Sequence, residues 1–462
     1  MSRLITFLLG ALTLIGLGWL AGFTPKQLVA VGVFSCMILA TLLFWTYRLA
    51  FAFLALCVML GAGLLDIPHF IEFAQIDIIM FLVAMMTVVG FLEERRFFEA
   101  VIEAVLTRFR LSARAFCALI MFLGALSAAL VDEVTSILFM TAITLHFVSS
   151  RGVTATPFVI MLVFATNIGS AATVVGNPVG VMVAMQGGLT FTDFLRWASP
   201  AALVNLLLTI PFCLWYFRKP IRELQQKLRA GSQELVSEAP ARSASVSLRS
   251  LLIFIGLITG LILHSKIEQL LGLERNTMLL GTAMGFAGLC LLLDRLRARE
   301  IIERRVDWWT LSFFLVLFAS VGTLRYVGVT AELARMLGAA AGHNETALMI
   351  LVTWGGGLLS ALMDNVLAVA TLIPIVQDLG VQGIEIFPLW WGLLFGGTHF
   401  GNVTMIGSTA NIIAIGILER RRLGLIDFWT WLKPGLVVGV FTLLLATLWI
   451  WTQTPLMAEL NR

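Results

Sequence analysis

Charged residues are scarce in this chain of 462 residues: Asp, Glu, Lys and Arg make up 13% of it, while apolar residues make up 59% and the mean hydropathy is +0.97. A soluble fold needs more polar surface than this composition supplies, so the scarcity excludes an ordinary soluble domain. The small excess of 31 Lys and Arg over 27 Asp and Glu lies in short loops. It indicates orientation in a membrane, and we expect no nucleic-acid partner.

The chain also lacks paired cysteines and common catalytic motifs. Its five cysteines lie singly inside apolar segments, which predicts neither a disulfide framework nor a cysteine metal site. It contains no HExxH zinc motif, no nucleophile elbow and no phosphate-binding glycine loop. We therefore expect no enzyme activity and no resident cofactor.

The chain instead contains a succession of long apolar runs. A hydrocarbon core of about 30 Å takes about 20 apolar residues for each helical crossing. The pattern predicts an all-α polytopic protein whose surroundings are the lipid bilayer, with an uncleaved first span at residues 4–23. Further simple spans are predicted at residues 27–45, 49–65, 76–92, 197–216, 251–264, 278–293, 309–324 and 436–451.

Basic loops predict the domain organisation and the orientation. A polar stretch at residues 218–250 carries seven Lys and Arg and divides the chain into comparable halves, 1–217 and 251–462. Because basic loops stay in the cytoplasm, we expect this linker inside, the N-terminus inside and the C-terminus outside. The expected location is the inner membrane of a bacterium.

Two apolar runs are too long for one crossing and carry an acid in the middle. Asp132 and Glu133 interrupt the run 112–150, and Asp364, followed by Asn365, interrupts the run 346–377. Each arm is short for a crossing, and charge at membrane depth is tolerated only where protein or a water-filled cavity surrounds it. The sequence therefore predicts two re-entrant hairpins whose tips face a site.

A second pair of runs, 157–185 and 388–417, has a middle rich in Gly, Asn, Ser and Thr. This composition predicts discontinuous helices, whose freed backbone groups and side-chain oxygens replace the water shell of an ion. Half-helix N-termini provide places for an anion. The candidate ion or substrate ligands are Asp132, Glu133, Thr135, Asn167, Thr173, Gly176, Asn177, Asp364, Asn365, Thr398, His399, Asn402, Thr404, Gly407, Ser408, Thr409 and Asn411.

Each of these residue types also has a simpler interpretation. The two aspartates are good caps for hairpin turns, and Glu133 at the first tip either contacts an ion or faces water. The asparagines are suited to satisfying freed backbone groups at the helix breaks. His399 is either a proton carrier or a hydrogen-bonded packing residue.

The two halves match each other in sequence. Asp132-Glu133-Val134 corresponds to Asp364-Asn365-Val366, and the segment ending at Gly176 corresponds to the segment ending at Gly407. The separation from acid to glycine is 44 residues in one half and 43 in the other. With the charge rule, this predicts two inverted-topology repeats, a pattern typical of alternating-access transporters.

These motifs resemble the ion transporter superfamily, in the branch with arsenite permeases, NhaD-type sodium/proton antiporters, the P protein and citrate-transporter-like permeases. The resemblance implies about eleven transmembrane helices plus two re-entrant hairpins, a homodimer and an elevator-type motion. The chain departs from the P-protein pattern at Glu133, where an Asn is usual. The paired Ser-Asn-Thr motifs of the dicarboxylate/sodium symporters are not evident, which makes a dicarboxylate less favoured.

Charge provides the functional hypothesis. Two or three carboxylates converge on the predicted site and no Lys or Arg is expected there, which favours a cation. The first hypothesis is sodium/proton antiport, with Na+ bound at Asp132, Asp364 and Asn365 and with Na+ and H+ as the coupling ions. The alternative is a proton- or sodium-coupled permease for a small anion or oxyanion such as citrate or arsenite.

Overall fold

The computed structural model describes residues 2–107, 112–230, 247–342 and 344–460, and the regular structure in these ranges is helical, without a strand. The helices of the first half are α1 Ser2–Leu20, α2 Pro25–Leu43, α3 Arg48–Gly61, α4 Ile67–Phe73, α5 Ile76–Glu94, α6 Phe97–Thr107, α7 Ala113–Leu130, α8 Glu133–Ser149, α9 Thr156–Ser170, α10 Pro178–Gly187, α11 Phe191–Asp193 and α12 Ser199–Tyr216. Those that follow are α13 Arg218–Ala230, α14 Leu248–Leu271, α15 Thr277–Leu293, α16 Ala298–Arg305, α17 Trp308–Tyr326, α18 Val329–Ala340, α19 Glu345–Leu362, α20 Asn365–Val381, α21 Phe387–Phe400, α22 Thr409–Arg420 and α23 Phe428–Leu460.

Many of these helices are suited to a bilayer. Within the described ranges, eight helical segments are long and apolar enough to cross a membrane: Pro25–Leu43, Ile76–Glu94, Ala113–Leu130, Phe191–Tyr216, Leu248–Leu271, Trp308–Tyr326, Glu345–Leu362 and Phe428–Glu459. Shorter apolar helices, α8 and α20 among them, lie between these segments. The all-α, membrane-spanning class predicted from composition agrees with this architecture.

Helix pairs occupy the two ranges that were predicted as hairpins. Helix α7 packs against α8 and α19 packs against α20, and only two residues connect the helices of each pair. The connection ends at Asp132 in the first pair and at Asp364 in the second. Each aspartate accepts hydrogen bonds from the first turn of the helix that follows, so the acids mark where the new helices begin.

The two predicted discontinuous helices are interrupted near their middles. Helix α9 ends at Ser170 and α10 begins at Pro178, while α21 ends at Phe400 and α22 begins at Thr409. A Cβ atom on Gly176 would lie 2.1 Å from the carbonyl oxygen of Ser170, so the connecting backbone folds back tightly onto the helix end. Only glycine allows this close approach.

The region predicted as a linker, 218–250, is partly helical. Helix α13 covers Arg218–Ala230, residues 231–246 lie outside the described ranges, and α14 begins at Leu248. Basic residues of α13 therefore belong to an ordered helix and not to an extended linker.

The interrupted helices meet in the middle of the molecule. Helix α9 packs on α7 and α21 packs on α19, while α8 contacts α22 and α10 contacts α21. Helices α5 and α17 contact each other. They lie beside this group, since α5 contacts α10 and α17 contacts α20. The packing brings the hairpin connections and the helix breaks together.

Candidate functional site

The two aspartates of the hairpins act as helix caps. Asp132 accepts hydrogen bonds at one carboxylate oxygen from the backbone amides of Val134, at 2.8 Å, and Thr135, at 2.9 Å. Asp364 accepts one from the amide of Val366, at 3.1 Å, and its second oxygen accepts from the Thr409 hydroxyl at 2.6 Å. The capping interpretation therefore describes their local geometry, and Asp364 is in addition joined to the second helix break.

Glu133 is held by side chains from both halves of the chain. Its Oε2 accepts a hydrogen bond from Ser170 at 3.2 Å. Its Oε1 accepts from the Asn365 amide at 3.3 Å and from the Ser408 hydroxyl at 3.4 Å. Glu133 is 1% exposed, and the negative charges of Asp132 and Asp364 repel its carboxylate. The carboxylate is therefore held by polar groups of the protein.

A cluster of buried asparagines connects the two helix breaks. The Asn167 amide donates to the side-chain oxygens of Asn402, at 2.8 Å, and Asn411, at 2.9 Å. The Asn411 amide donates to the backbone carbonyls of Gly401 and Thr404, at 2.9 and 2.8 Å. These contacts satisfy carbonyl groups that the interruption of the helix releases.

Ser170 is a site residue that sequence reasoning missed. Its hydroxyl donates to Glu133 and accepts a 2.7 Å hydrogen bond from the Asn177 amide. Asn177 also caps α10 by accepting from the amide of Gly180 at 2.6 Å. Ser170 lies inside the polar run that predicted the first helix break, so its position was visible in the sequence, but its partners were not.

Some predicted ligands have structural partners. The Thr173 hydroxyl donates to the carbonyl of Ala129, and the Thr404 hydroxyl donates to the carbonyl of Ala361 at 2.6 Å. Each threonine thus fastens a helix break to the first helix of a hairpin. Gly407, like its counterpart in the first half, takes part through a close backbone approach, here to Gly401.

The partners of Thr398 and His399 lie within their own helix, α21. The Thr398 hydroxyl donates to the carbonyl of Leu394 in its own helix at 2.7 Å. The Nδ1 atom of His399 lies 3.0 Å from the Thr398 hydroxyl, and its ring packs edge-on against Phe395. These contacts are within α21, and the other ring nitrogen of His399, Nε2, is buried without a hydrogen-bond partner in the described part of the chain.

A cavity of about 370 Å³ gives access to the carboxylates. Its lining includes hairpin and break residues Asp132, Glu133, Thr135, Asn177 and Thr409. Apolar residues of the hairpins and interrupted helices form much of the remaining wall. Helix α5, with Glu93, and helix α17 also contribute, as do Arg304 and Arg305. We call this space the first cavity.

Basic residues lie nearer to the site than the sequence predicts. The Arg48 guanidinium interacts electrostatically with Asp364 and donates a 2.8 Å hydrogen bond to the hydroxyl of Thr310, which lines the first cavity. Arg48 is also stacked over the Trp45 ring at 4.3 Å. Sequence reasoning missed this residue because it lies far from the hairpins along the chain.

A second cavity, of about 410 Å³, lies between α5, α17, α10 and α20. The second cavity is lined by Gln75 and Ile78 at the start of α5, whereas the first cavity is lined by residues from Phe81 to Glu93, farther along that helix. Gln75 accepts from the Gln186 amide, Gln186 accepts from Gln377 at 2.9 Å, and Gln377 accepts from Arg325 at 2.6 Å. We call this series of contacts the glutamine chain.

Several polar side-chain atoms of the hairpins and interrupted helices are buried without a hydrogen-bond partner in the described parts of the chain. Among them are the side-chain oxygen of Asn365, the side-chain nitrogen of Asn402 and Nε2 of His399. Buried polar groups are nearly always satisfied, so these atoms are available to a bound species. The Asn365 oxygen belongs to the same amide that donates to Glu133.

The pattern of the family described as citrate transporter matches residues 37–396, which is most of the chain. The chain belongs to the citrate transporter family. The predicted resemblance to the ion transporter superfamily is confirmed, and the protein is an integral membrane transporter.

Individual relatives support this assignment. An uncharacterized transporter of Mycobacterium tuberculosis (strain ATCC 25618 / H37Rv) is 31% identical over 410 residues, which cover 86% of this chain and 91% of the relative. The P protein of Homo sapiens is 27% identical over 453 residues, covering 81% of this chain and 53% of that protein. The crystal structure of the Alcanivorax borkumensis YdaH transporter aligns with a TM-score of 0.53 at 18% identity, over 84% of this chain and 87% of that one. This last likeness concerns the fold alone.

Proposed function

We propose that this member of the citrate transporter family exchanges Na+ for protons across the membrane. The observation that carries the proposal is the position of Glu133, which is hydrogen-bonded from both halves and feels the charges of Asp132 and Asp364. The buried carboxylates of Glu133 and Asp364 and the partly buried carboxylate of Asp132 repel one another unless a cation or protons neutralise them. A site that must always hold positive charge suits the exchange of one cation for another.

In this mechanism Na+ is the substrate and binds beside Asp132, Asp364 and the side-chain oxygen of Asn365. The Asn365 oxygen is a suitable ligand because it is buried and has no hydrogen-bond partner within the described residues. Protons arriving at the carboxylates weaken the attraction for Na+, and Na+ in turn disfavours protonation. Competition for one site couples the two fluxes in opposite directions.

The proposal includes alternating access through two inverted repeats, with about eleven transmembrane helices, two re-entrant hairpins, an elevator motion and a homodimer. Paired contacts support the repeats, since Thr173 and Thr404 each bond to a carbonyl of the preceding hairpin. The two cavities, which lie along successive parts of α5, support access from two sides.

On the orientation that the basic loops predict, the first cavity faces the cytoplasm because Arg304 and Arg305 line it. The glutamine chain then lies on the outer side, in a bacterial inner membrane, with the N-terminus inside and the C-terminus outside. The structure would accordingly represent an inward-facing state.

A second candidate function is a permease for a small anion or oxyanion, driven by protons or Na+ that neutralise the acids. The observation that favours it is Arg48, whose guanidinium lies close enough to Asp364 to interact with it. Arg304 and Arg305 also line the cavity, where each is paired with a glutamate. The name of the family, citrate transporter, points in the same direction.

Reconstituted liposomes with a trapped pH dye test the proposal. After a proton gradient is imposed, Na+, Li+, K+ or an anion such as citrate is added in turn, with wild type compared to Asp132→Asn and Asp364→Asn. Asparagine also caps helices, so these variants keep the caps while removing charge. Asp427→Asn is the matched control, because Asp427 caps the start of α23 and is exposed.

We expect Na+ or Li+ to dissipate the gradient in wild type and in the control, and not in the two hairpin variants. If cations leave the gradient unchanged while an anion moves with protons, antiport is wrong and the permease replaces it. Flux that rises without saturation as Na+ is increased would contradict a carrier of either kind.

A further inference from the structure

Helix α13 concentrates positive charge beside the membrane. Its sequence RKPIRELQQKLRA contains five basic residues and one acid, Glu223. It directly follows α12, which ends in the aromatic residues Trp215 and Tyr216. The Arg218 guanidinium lies 5.9 Å from the centre of the Trp215 ring. Tryptophan and tyrosine at the end of a span commonly lie at the level of the lipid headgroups, which places the start of α13 there.

One face of α13 is docked onto the protein. Ile221 and Leu224 are buried, and the Gln225 side-chain oxygen accepts a 2.8 Å hydrogen bond from the backbone amide of Ala113 at the start of α7. The five basic residues are exposed and lie on the remaining part of the helix surface: Arg218, Lys219, Arg222, Lys227 and Arg229. The helix is therefore held in a fixed orientation with its basic side free.

The arginines of α16 provide a contrast. Arg299 pairs with Glu303 at 2.6 Å and Arg304 pairs with Glu300 at 3.2 Å, both within the same helix. By comparison, none of the basic residues of α13 makes an ion pair with a residue in the ranges that the structure describes. Their charge is available to a partner outside the chain.

We propose that the basic face of α13 binds the headgroups of anionic phospholipids in the adjacent leaflet. Anionic lipid surfaces attract basic residues next to a membrane span, and this attraction falls off within about one Debye length of the surface. The occupant is a lipid surface because the helix starts at an aromatic anchor and has its apolar residues turned towards the protein. Since α13 also caps α7, bound lipid stabilises the base of the first hairpin. The proposal does not depend on which ion is transported.

Thermal unfolding of the detergent-purified full chain tests this interaction. Phosphatidylglycerol or phosphatidylcholine is added stepwise, and the lipid concentration that gives half of the maximal rise in melting temperature is measured. The variant Arg218→Gln/Arg222→Gln/Arg229→Gln removes three charges from α13. The matched control, Arg297→Gln/Arg299→Gln/Arg304→Gln, removes three charges from arginines with carboxylate partners.

We expect phosphatidylglycerol to stabilise wild type and the control at similar concentrations. The α13 variant should need at least about tenfold more, because it lacks three of the basic side chains that attract an anionic surface. Salt at 0.5 M, about three times physiological ionic strength, should abolish the difference. The single variant Arg222→Gln, which changes one exposed side chain, should show a smaller shift. Equal response of wild type and both α13 variants to phosphatidylglycerol, or an equal loss in the control, would overturn the proposal.

Discussion

Glu133 and Asn365 each follow the aspartate that begins the second helix of a hairpin, and the Asn365 amide donates a 3.3 Å hydrogen bond to the Glu133 carboxylate. Equivalent positions of the two halves thus contact each other, one charged and one neutral. Glu133 is also where the chain departs from the pattern of the P-protein group. Because of this contact, removing the charge of Glu133 tests whether both halves contribute to the proposed cation site.

Replacing Glu133 with Gln should weaken cation binding while preserving the fold. Gln keeps the size of the side chain and one acceptor oxygen, which can still accept from Asn365. Its amide nitrogen then lies at the Ser170 hydroxyl, which can turn to accept, and the negative charge is removed. Because an interaction with a charged group contributes roughly 1.5–3 kcal/mol, we expect the Na+ concentration for half-maximal exchange to rise by about tenfold or more. Proteoliposome assays at several Na+ concentrations measure it. An unchanged half-maximal concentration would show that Glu133 does not contribute to the cation site.

Substituting Gly176 with Ala should disrupt the first helix break. The added methyl group would lie 2.1 Å from the Ser170 carbonyl oxygen, which cannot move without disturbing the contact to Glu133. Overpacking of this kind costs about 1–3 kcal/mol, so we expect a lower melting temperature and loss of transport. Gly285→Ala in α15 is the control, since nothing lies within 4 Å of a Cβ built there. Equal behaviour of the two variants would contradict the prediction.

Replacing Asn411 with Asp should destabilise the second helix break. The Asn411 amide donates to the carbonyls of Gly401 and Thr404, and a carboxylate there would face two acceptors. Loss of these donors in a buried place costs about 1–3 kcal/mol or more, which thermal unfolding in detergent detects. Asn344→Asp is the matched control, because Asn344 caps α19 at an exposed position where Asp caps equally well. A melting temperature that falls no further than in the control would refute this role.

Replacing Asp378 with Asn should loosen α20 from α17 beside the glutamine chain. Asp378 accepts from Arg325 at 3.1 Å and from Thr330 at 2.5 Å, and it is 9% exposed. Because Arg325 is partly exposed, we expect a loss of only about 1–2 kcal/mol in the free energy of unfolding. Glu332→Gln, which breaks the exposed pair with Arg335, should have almost no effect. Similar melting temperatures for the two variants would count against a stabilising role.

The sequence marked many of the groups that form the site, and it did so through local signals. Asp132 and Asp364 stood out because acids are rare inside apolar runs, and Asn167 and Asn411 stood out within polar stretches. The same signals also selected Thr398 and His399, whose observed partners lie inside α21. A local signal identifies an unusual side chain, but it contains no information about the direction in which that side chain points.

The role of other groups could not be predicted from the sequence. Arg48 and the glutamine chain carry no motif, since each involves a polar residue of an ordinary kind near a helix end. Their importance comes from the neighbours that packing supplies. The basic residues of α13 were visible as charge, but their helical order and their docking onto α7 were not.

By itself, the sequence determined that this protein is helical and embedded in a membrane, because hydropathy and segment length act over about 20 neighbouring residues. Only the tertiary structure decided which polar groups meet. Asn365 and Glu133 are 232 residues apart, and Asn167 and Asn411 are 244 apart. The physical reason is that hydrogen bonds extend over about 3 Å, so contacts between distant residues depend on how every intervening helix packs.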